Sequence, residues 1–325
     1  MNSSFSNTVL LIPNKTDIER DAVASAWENA GGKVLRVDKF WEPPDLDKAI
    51  IRIYGNAIFA LVIREKKPIK LISPDDYLQI TLNEKWLKRK INLIILKDIT
   101  SMAFPLFAKP LIPKEFRSGV YRDIDELARE CRGLSEYTTI LASEIVSFES
   151  EVRCFILNNH IETMSVYSGE AFVSAAEKFV KSFLANTRNR RLLVDAYVLD
   201  IGYIKDRGWA VIEANPAWGA GLNGCDPSKA INCIYAATKP ERAIDENIQI
   251  GLEEVSRILY DGTLAEMRSL KNMDICYKYN RYSGSNWDSM NIQVGCELLH
   301  ADGPHYLPNC LRYFGYKHDF IDDYT

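Results

Sequence analysis

Three oxygen-bearing side chains lie close together in the stretch Leu193 to Gly224, LVDAYVLDIGYIKDRGWAVIEANPAWGAGLNG. Val194 to Ile204 reads as a strand, Asp206-Arg207-Gly208 as a turn, and Trp209 to Asn215 as the returning strand. A two-residue loop at Arg207-Gly208 would set Asp200 directly across from Asn215, with Glu213 diagonal on the same face. Strand alternation would send Ala210, Ile212 and Ala214 to the other side. Two carboxylates placed that close repel, and one would take up a proton unless a cation intervened. Two carboxylates and an amide, completed by phosphate and water oxygens, suit magnesium. An isolated Asp and a Glu-x-Asn are more often the polar face of a solvent-exposed hairpin. Against that stands the apolar strand Ala-Val-Ile-Glu-Ala-Asn, which ends in Pro216 and the loop Trp218-Gly219-Ala220-Gly221. Such a loop permits close backbone approach to a ligand.

Cations precede this acidic set in the chain. Lys109 ends the apolar run Phe107-Ala108-Lys109-Pro110, and Lys114 follows, then Arg117-Ser118-Gly119-Val120-Tyr121. A Ser118-Gly119 turn beside two lysines can wrap a polyphosphate, with backbone N–H groups and ammonium charges sharing the anion. Between the cations and the acids lie Ala142-Ser143-Glu144-Ile145-Val146 and Glu151-Val152-Arg153-Cys154-Phe155. The first run offers backbone amides to an adenine edge. In the second, Glu151 and Arg153 point the same way, as an ion pair or as an arginine held ready for a transferring phosphoryl group. Each piece alone is an ordinary surface feature; their order is what points to a nucleotide site.

The elements that must carry these residues alternate between strand and helix. Residues 8–12 read as a buried strand, Thr16-Asp17 opens a helix running to Asn29, and Gly31-Gly32 stops it before a strand over Lys33 to Asp38. That is a β-α-β unit with a parallel pair. Strands are expected at Ala49–Ile53, Ala57–Ile63 and Lys70–Ile72, and a helical stretch near Asn83–Lys90. Asp123 to Glu130 reads as a helix, Thr139–Ser147 and Glu151–Leu157 as strands, and Asn158-Asn159 as a turn into Ile161–Tyr167. Ala171–Phe183 reads as an amphipathic helix with Phe172, Ala176, Phe179 and Phe183 on one face. Three regions are expected: residues 1–104 as an N-terminal α/β part, 105–239 as the nucleotide- and metal-binding part, and 240–325 as an appended region of unknown fold.

Composition restricts the function classes. With 325 residues, 47% hydrophobic and 26% charged, the chain resembles an ordinary globular protein. A net charge of −4 argues against general nucleic-acid binding, which needs a basic surface. The basic run Lys85 to Lys90 is local and reads first as a solvated helix face. No apolar run approaches the ~20 residues that span a bilayer. Met1 to Thr8 is polar and unlike a signal peptide, and seven scattered cysteines suit reduced thiols. A cytoplasmic protein with no membrane and no nucleic-acid partner is the expectation.

As an ordered set, Lys109-Pro110, Ser143-Glu144-Ile145-Val146, Glu151-Val152-Arg153-Cys154-Phe155, Asp200 and Glu213-Ala214-Asn215-Pro216 resemble the ATP-grasp superfamily. The resemblance is nearest to the clade marked by one Arg and two Lys, with Arg89, Lys109 and Lys114 as those three residues. It spans roughly residues 8 to 236 and implies an α/β (α+β) ATP-grasp fold behind a β-α-β pre-ATP-grasp domain. It also implies ATP and Mg2+ as cofactors. In that reading Lys109, Lys114 and the Ser118-Gly119 turn hold phosphates, with Arg89 beside them. Glu144 and the backbone near Val146 hold adenine and ribose, and Glu151 is counted among the cofactor-binding residues. Asp200, Glu213 and Asn215 bind magnesium. Arg153, with Lys114, steadies the transferred phosphoryl group. Most members activate a carboxylate as acyl phosphate and pass it to an amine, so the partners implied are a small-molecule or peptide carboxylate and an amine acceptor. A kinase on the same fold, and a nucleotide-binding interaction module without catalysis, both remain open; the oligomeric state is not legible.

The tail holds His300, His305 and His318. Cys296, His300, His305 and Cys310 include zinc-ligand residue types at a spacing that matches no standard zinc motif, so scattered packing residues are the better reading. Cys225, near the expected site, reads as a small packing residue rather than a reactive thiol.

Overall fold

The computed structural model describes residues 5–46, 50–67, 69–112 and 115–240, together with three strands between 275 and 302. By its internal contacts the chain divides into Met1–Glu241 and Arg242–Thr325.

The first unit opens with β1 (Thr8–Pro13), α1 (Ile18–Asn29) and β2 (Lys33–Val37). Asp17 caps α1 by accepting the Arg20 N–H at 2.9 Å, and Glu19 and Asp21 stand in its first turn. This placement complements the helix dipole. Together with β3 (Ile50–Ile53) these strands form a parallel sheet in the order β2-β1-β3. The expected strand over Ala57–Ile63 is instead helical, α2 (Ala57–Lys66). Asn56 caps it, its side chain accepting from the Phe59 N–H at 3.0 Å, and Phe59, Ala60 and Ile63 are buried at helical spacing. An unbroken apolar run fits a buried strand and a buried helix equally well, and only the cap separates them. Asn56→Ala is therefore expected to cost about 1 kcal/mol, read as a lowered midpoint in thermal unfolding.

After β4 (Ile69–Leu71) come two single-turn helices, α3 (Leu78–Thr81) and α4 (Glu84–Leu87). The expected helix to Lys90 thus stops early, because Lys88 turns left-handed at φ 54°. β5 (Ile91–Ile95), β6 (Leu106–Pro110), β7 (Gly119–Tyr121), α5 (Ile124–Glu130) and β8 (Thr139–Ser143) follow. Their strands make an antiparallel sheet in the order β5-β8-β6-β7. β8 ends at Ser143 rather than Ser147, leaving 144–147 as an irregular link.

β9 (Phe148–Leu157) and β10 (His160–Gly169) form a hairpin across Asn158 and Asn159, both at positive φ. Asparagine tolerates that region better than most residues. α6 (Val173–Ala185) and α7 (Thr187–Leu192) lead to β11 (Ala196–Ile204) and β12 (Gly208–Asn215). α6 buries Ala176, Val180, Phe183 and Leu184, whereas Phe172, expected on that face, precedes the helix and is 86% exposed. The second antiparallel sheet runs β10-β9-β11-β12. One of its faces packs Val152, Cys154, Ile156, Tyr197 and Leu199 against α6. Phe155, Ala196 and Val198 on the other face join the core shared with β1 and α1. α8 (Pro227–Ala236) and β13 (Thr238–Pro240) close the unit, β13 pairing with β4.

In the second unit β14 (Ile275–Arg281), β15 (Asp288–Val294) and β16 (Glu297–Asp302) form an antiparallel meander. The cysteine–histidine set is not tested by it: Cys296, His305 and Cys310 lie outside the described residues, as does His318, and only the backbone of His300 is described, within β16.

Candidate active site

The β11–β12 hairpin differs from the simple two-residue turn. Ile204 pairs with Gly208, so Lys205-Asp206-Arg207 form the loop, with Asp206 at φ 63° and Gly208 at φ 86°. Pairing stays regular to Ile201 opposite Val211, and then Asp200 stands opposite Glu213. Asp200 therefore does not face Asn215, which pairs with Val198. Ile212 is the extra residue of a β-bulge. Without it Glu213 would pair with Leu199 and face away from Asp200. A bulge places two residues against one and resets the alternation beyond it. Glu213 and Asn215 thereby share the Asp200 face. At the hairpin end the expected register is three residues out, so Ala210, opposite Gly202, shares the Asp200 face instead of turning away, and the Ile212 side chain reaches the Gly202 side too. The bulge reduces the offset to two at Glu213, and a shift of two preserves the face.

The three side chains meet. Asn215 Nδ2 donates to Glu213 Oε1 at 3.0 Å and to Asp200 Oδ2 at 3.3 Å. Arg153, opposite Asp200 on β9, donates to both of its oxygens, from Nε at 2.9 Å and Nη2 at 2.7 Å. Lys109 on β6 reaches across from the other sheet to Glu213 Oε2 at 3.2 Å. Asp200 is only 2% exposed. Burial raises its carboxyl above the ordinary range against the pull of Arg153. Burial pushes Glu213 upward too, but Lys109, Asn215 and Arg153 outweigh it and leave the carboxyl lowered. A lowered carboxyl contributes stability above its ordinary value of 4.5, and that stability is lost as pH falls through the folded value. Glu213→Gln is therefore expected to flatten the acid limb of stability below pH 4.5, measured by urea unfolding at a series of pH values.

The donor set fits a divalent cation. An amide N–H bridges two carboxylates at the place where a cation would neutralise them, and the same amide carries an oxygen a cation can take. Among the described residues no three His, Cys, Asp or Glu gather as metal ligands; this set has two carboxylates and one amide.

Other expected site residues take varied positions. Glu151 accepts the Tyr167 hydroxyl at 2.7 Å, and the Tyr167 ring lies 5.7 Å from the Arg153 guanidinium. Glu144 is exposed and pairs with Arg207 at 2.6 Å, beside the half-buried Val146. Ser118 is exposed, and Gly119 begins β7 opposite Ala108 with open space where a side chain would stand. Arg89 is buried, and its guanidinium donates to the carbonyls of Leu87, Val211 and Ile212 at 3.0, 2.8 and 3.1 Å. Burial lowers its pKa to about 10 against the charge of Glu213. Lys114 lies outside the described residues. Cys225 is buried and its thiol is pushed up to about 12 by burial, which suits packing rather than reactivity.

Sequence reasoning missed Glu19. Its carboxylate accepts the backbone N–H groups of Leu222 and Asn223 at 3.0 and 2.6 Å, fixing the glycine-rich loop against α1. Arg153 Nη1 donates to the Gly221 carbonyl at 2.8 Å, and Tyr54 donates to that of Ala220 at 2.9 Å. A Cβ on Gly221 would come within 2.6 Å of Glu19 Oε2, so this glycine serves close approach. An acidic residue in the first turn of α1 complements the helix dipole, and no local pattern signals its reach across some two hundred residues.

Residues 86–233 match the ATP-grasp domain model for family 2 of the clade marked by one Arg and two Lys. No curated protein matches the chain by sequence. Among solved structures, the chain resembles a RimK domain protein ATP-grasp from Sphaerobacter thermophilus DSM 20745. The TM-score is 0.50 at 12% identity, over 70% of this chain and 99% of that one. D-alanine--D-alanine ligase from Bacillus anthracis gives 0.44 at 13% identity, over 71% and 96%. Macrocyclase MdnC from Microcystis aeruginosa MRC, bound with precursor peptide MdnA, gives 0.44 at 13%, over 70% and 98%. Only the first of these three reaches a score that matches the fold. The family match covers β5 to β12 and most of α8, and so takes in both antiparallel sheets and the acidic hairpin. The chain has the ATP-grasp fold, and residues 86–233 match an ATP-grasp domain of the clade marked by one Arg and two Lys.

Proposed function

We propose that the protein is an ATP- and Mg2+-dependent ligase, which activates a carboxylate as acyl phosphate for attack by an amine and releases ADP and phosphate. The observation that supports it most is the continuous polar chain Lys109–Glu213–Asn215–Asp200–Arg153, which spans from one sheet to the face of the other. Magnesium on Asp200, Glu213 and Asn215 would offset charge on the phosphates. Lys109 would turn from Glu213 to a phosphate oxygen once that carboxylate has a metal to neutralise it. Arg153, held by two hydrogen bonds to Asp200, would face the oxygens of the transferred group. Lys114, Ser118 and Gly119 are assigned to the phosphates, Glu144 and Val146 to adenine and ribose, and Glu151 to fixing Arg153 through Tyr167.

In the first step a carboxylate oxygen bonds to the γ-phosphorus and ADP leaves. In the second the amine bonds to the acyl carbon, phosphate leaves, and the amine gives up a proton. A peptide carboxylate or a peptide amine is compatible with both steps. The test is incubation with ATP, Mg2+ and candidate carboxylates, with and without hydroxylamine. Carboxylate-dependent ADP and phosphate, with a hydroxamate trapped, is expected. AMP and pyrophosphate would overturn the proposal, and a stable phosphorylated product formed without any amine would replace it with a kinase. Lys109→Met is expected to weaken ATP binding about 10-fold or more, one charge-assisted phosphate contact being lost, as measured by calorimetry.

A further inference from the structure

β12 is an outer strand of its sheet, so its free edge needs hydrogen-bond partners from elsewhere. The bulge makes this need acute at Ile212, the residue that resets the alternation. Two side chains from outside the sheet converge there. Gln79, on α3, donates its Nε2 to the Ile212 carbonyl. Arg89, just after α4, donates to the same carbonyl and to that of Val211. Both side chains are buried, Gln79 to 7% exposure and Arg89 to 6%. Arg89 is itself fixed by the Leu87 carbonyl and by the Phe148 ring, 5.5 Å from the guanidinium. Phe148 lies close over Gly202, where a Cβ would come within 2.3 Å of the ring, so the clamp is packed on the strand opposite as well. Gln79 precedes the residues matched by the family.

A regular strand and a bulged one differ here in a single property with chemical consequence. In the regular register Glu213 and Asn215 leave the Asp200 face. In the bulged register they share it. Whatever selects the bulge therefore selects the metal-binding arrangement. We propose that Gln79 and Arg89 are positioning residues that hold the Ile212 bulge and so keep Glu213 and Asn215 turned toward Asp200 for a divalent cation. This rests on the reading of those three residues as the metal site.

The test is a Mn2+ titration of the full-length protein followed by electron paramagnetic resonance, with a non-hydrolysable ATP analogue present. Gln79→Leu keeps the bulk and removes the donor; Gln79→Glu keeps the shape and sets a carboxylate against the carbonyl. Either folded variant is expected to need about 10-fold more Mn2+ for half-saturation, the usual scale for losing a group that orients metal ligands. Binding of the analogue in EDTA is expected to stay unchanged. Amide exchange over 208–215 in metal-free protein is expected to quicken. Arg89→Lys, which keeps the charge and loses the fork, is expected to shift the midpoint in the same direction. An unmoved Mn2+ midpoint in folded Gln79 variants would overturn the clamp while leaving the metal site intact. Equal weakening with and without metal would also overturn it, since that marks general loosening. Absence of nucleotide-dependent Mn2+ binding by the unsubstituted protein would instead overturn the metal site and the clamp together.

Discussion

Glu213→Ala is expected to abolish Mg2+-dependent turnover, by a factor on the order of 10²–10³ or more, while the protein stays folded. Glu213 pairs with Lys109 at 3.2 Å, and it completes the pair of carboxylates facing Asn215. Removing it would take away one of the two anionic donors proposed for the cation. It also leaves Lys109 free to hold phosphate without metal, so nucleotide binding should fall far less than turnover. The side chain is partly exposed, at 39%, and its loss opens no buried cavity. Rates of ADP release and the Mg2+ dependence of those rates provide the measurement. Normal turnover in this variant would contradict the assignment of the hairpin.

Arg153→Ala is expected to be the most destabilising single change in the site, costing about 3–5 kcal/mol. Asp200 is buried, and Arg153 supplies two of its hydrogen bonds and its nearest positive charge. Without the arginine a carboxylate is left in the sheet with only Asn215 to donate to it, and burial already raises its pKa. Replacing both partners with apolar residues, Arg153→Met with Asp200→Leu, is expected to recover much of that stability, since removing a buried pair together leaves no orphan charge. Activity should not return with it. Urea unfolding of the single and double variants reads the coupling directly. A double variant no more stable than Arg153→Ala would show that the pair is not what holds this part of the sheet.

Much of this site was legible in sequence because its signals are local. Asp17, Asp123 and the Asn158-Asn159 turn fix element ends by short-range hydrogen bonds or permitted φ values. The shared face of Asp200, Glu213 and Asn215 was expected from alternation, but the register at the turn is three residues out and only the bulge restores that face. The bulge itself had no signal: Ile212 is an ordinary strand residue, and only its carbonyl partners, Gln79 and Arg89, distinguish it. Arg89 illustrates the limit differently. Only the resemblance set Arg89 beside the phosphates, and its guanidinium donates to three backbone carbonyls. The apolar run in α2 hid its period, and Glu19 acts on Leu222 and Asn223, which no local pattern can connect to it.

The most direct test is a crystal of the protein with Mn2+ and a non-hydrolysable ATP analogue, examined at a wavelength where manganese scatters anomalously. The account requires an anomalous peak bounded by the side-chain oxygens of Asp200, Glu213 and Asn215, with Lys109 swung from Glu213 to a phosphate. Bound nucleotide with no manganese on that hairpin, or manganese held by other residues, would contradict it.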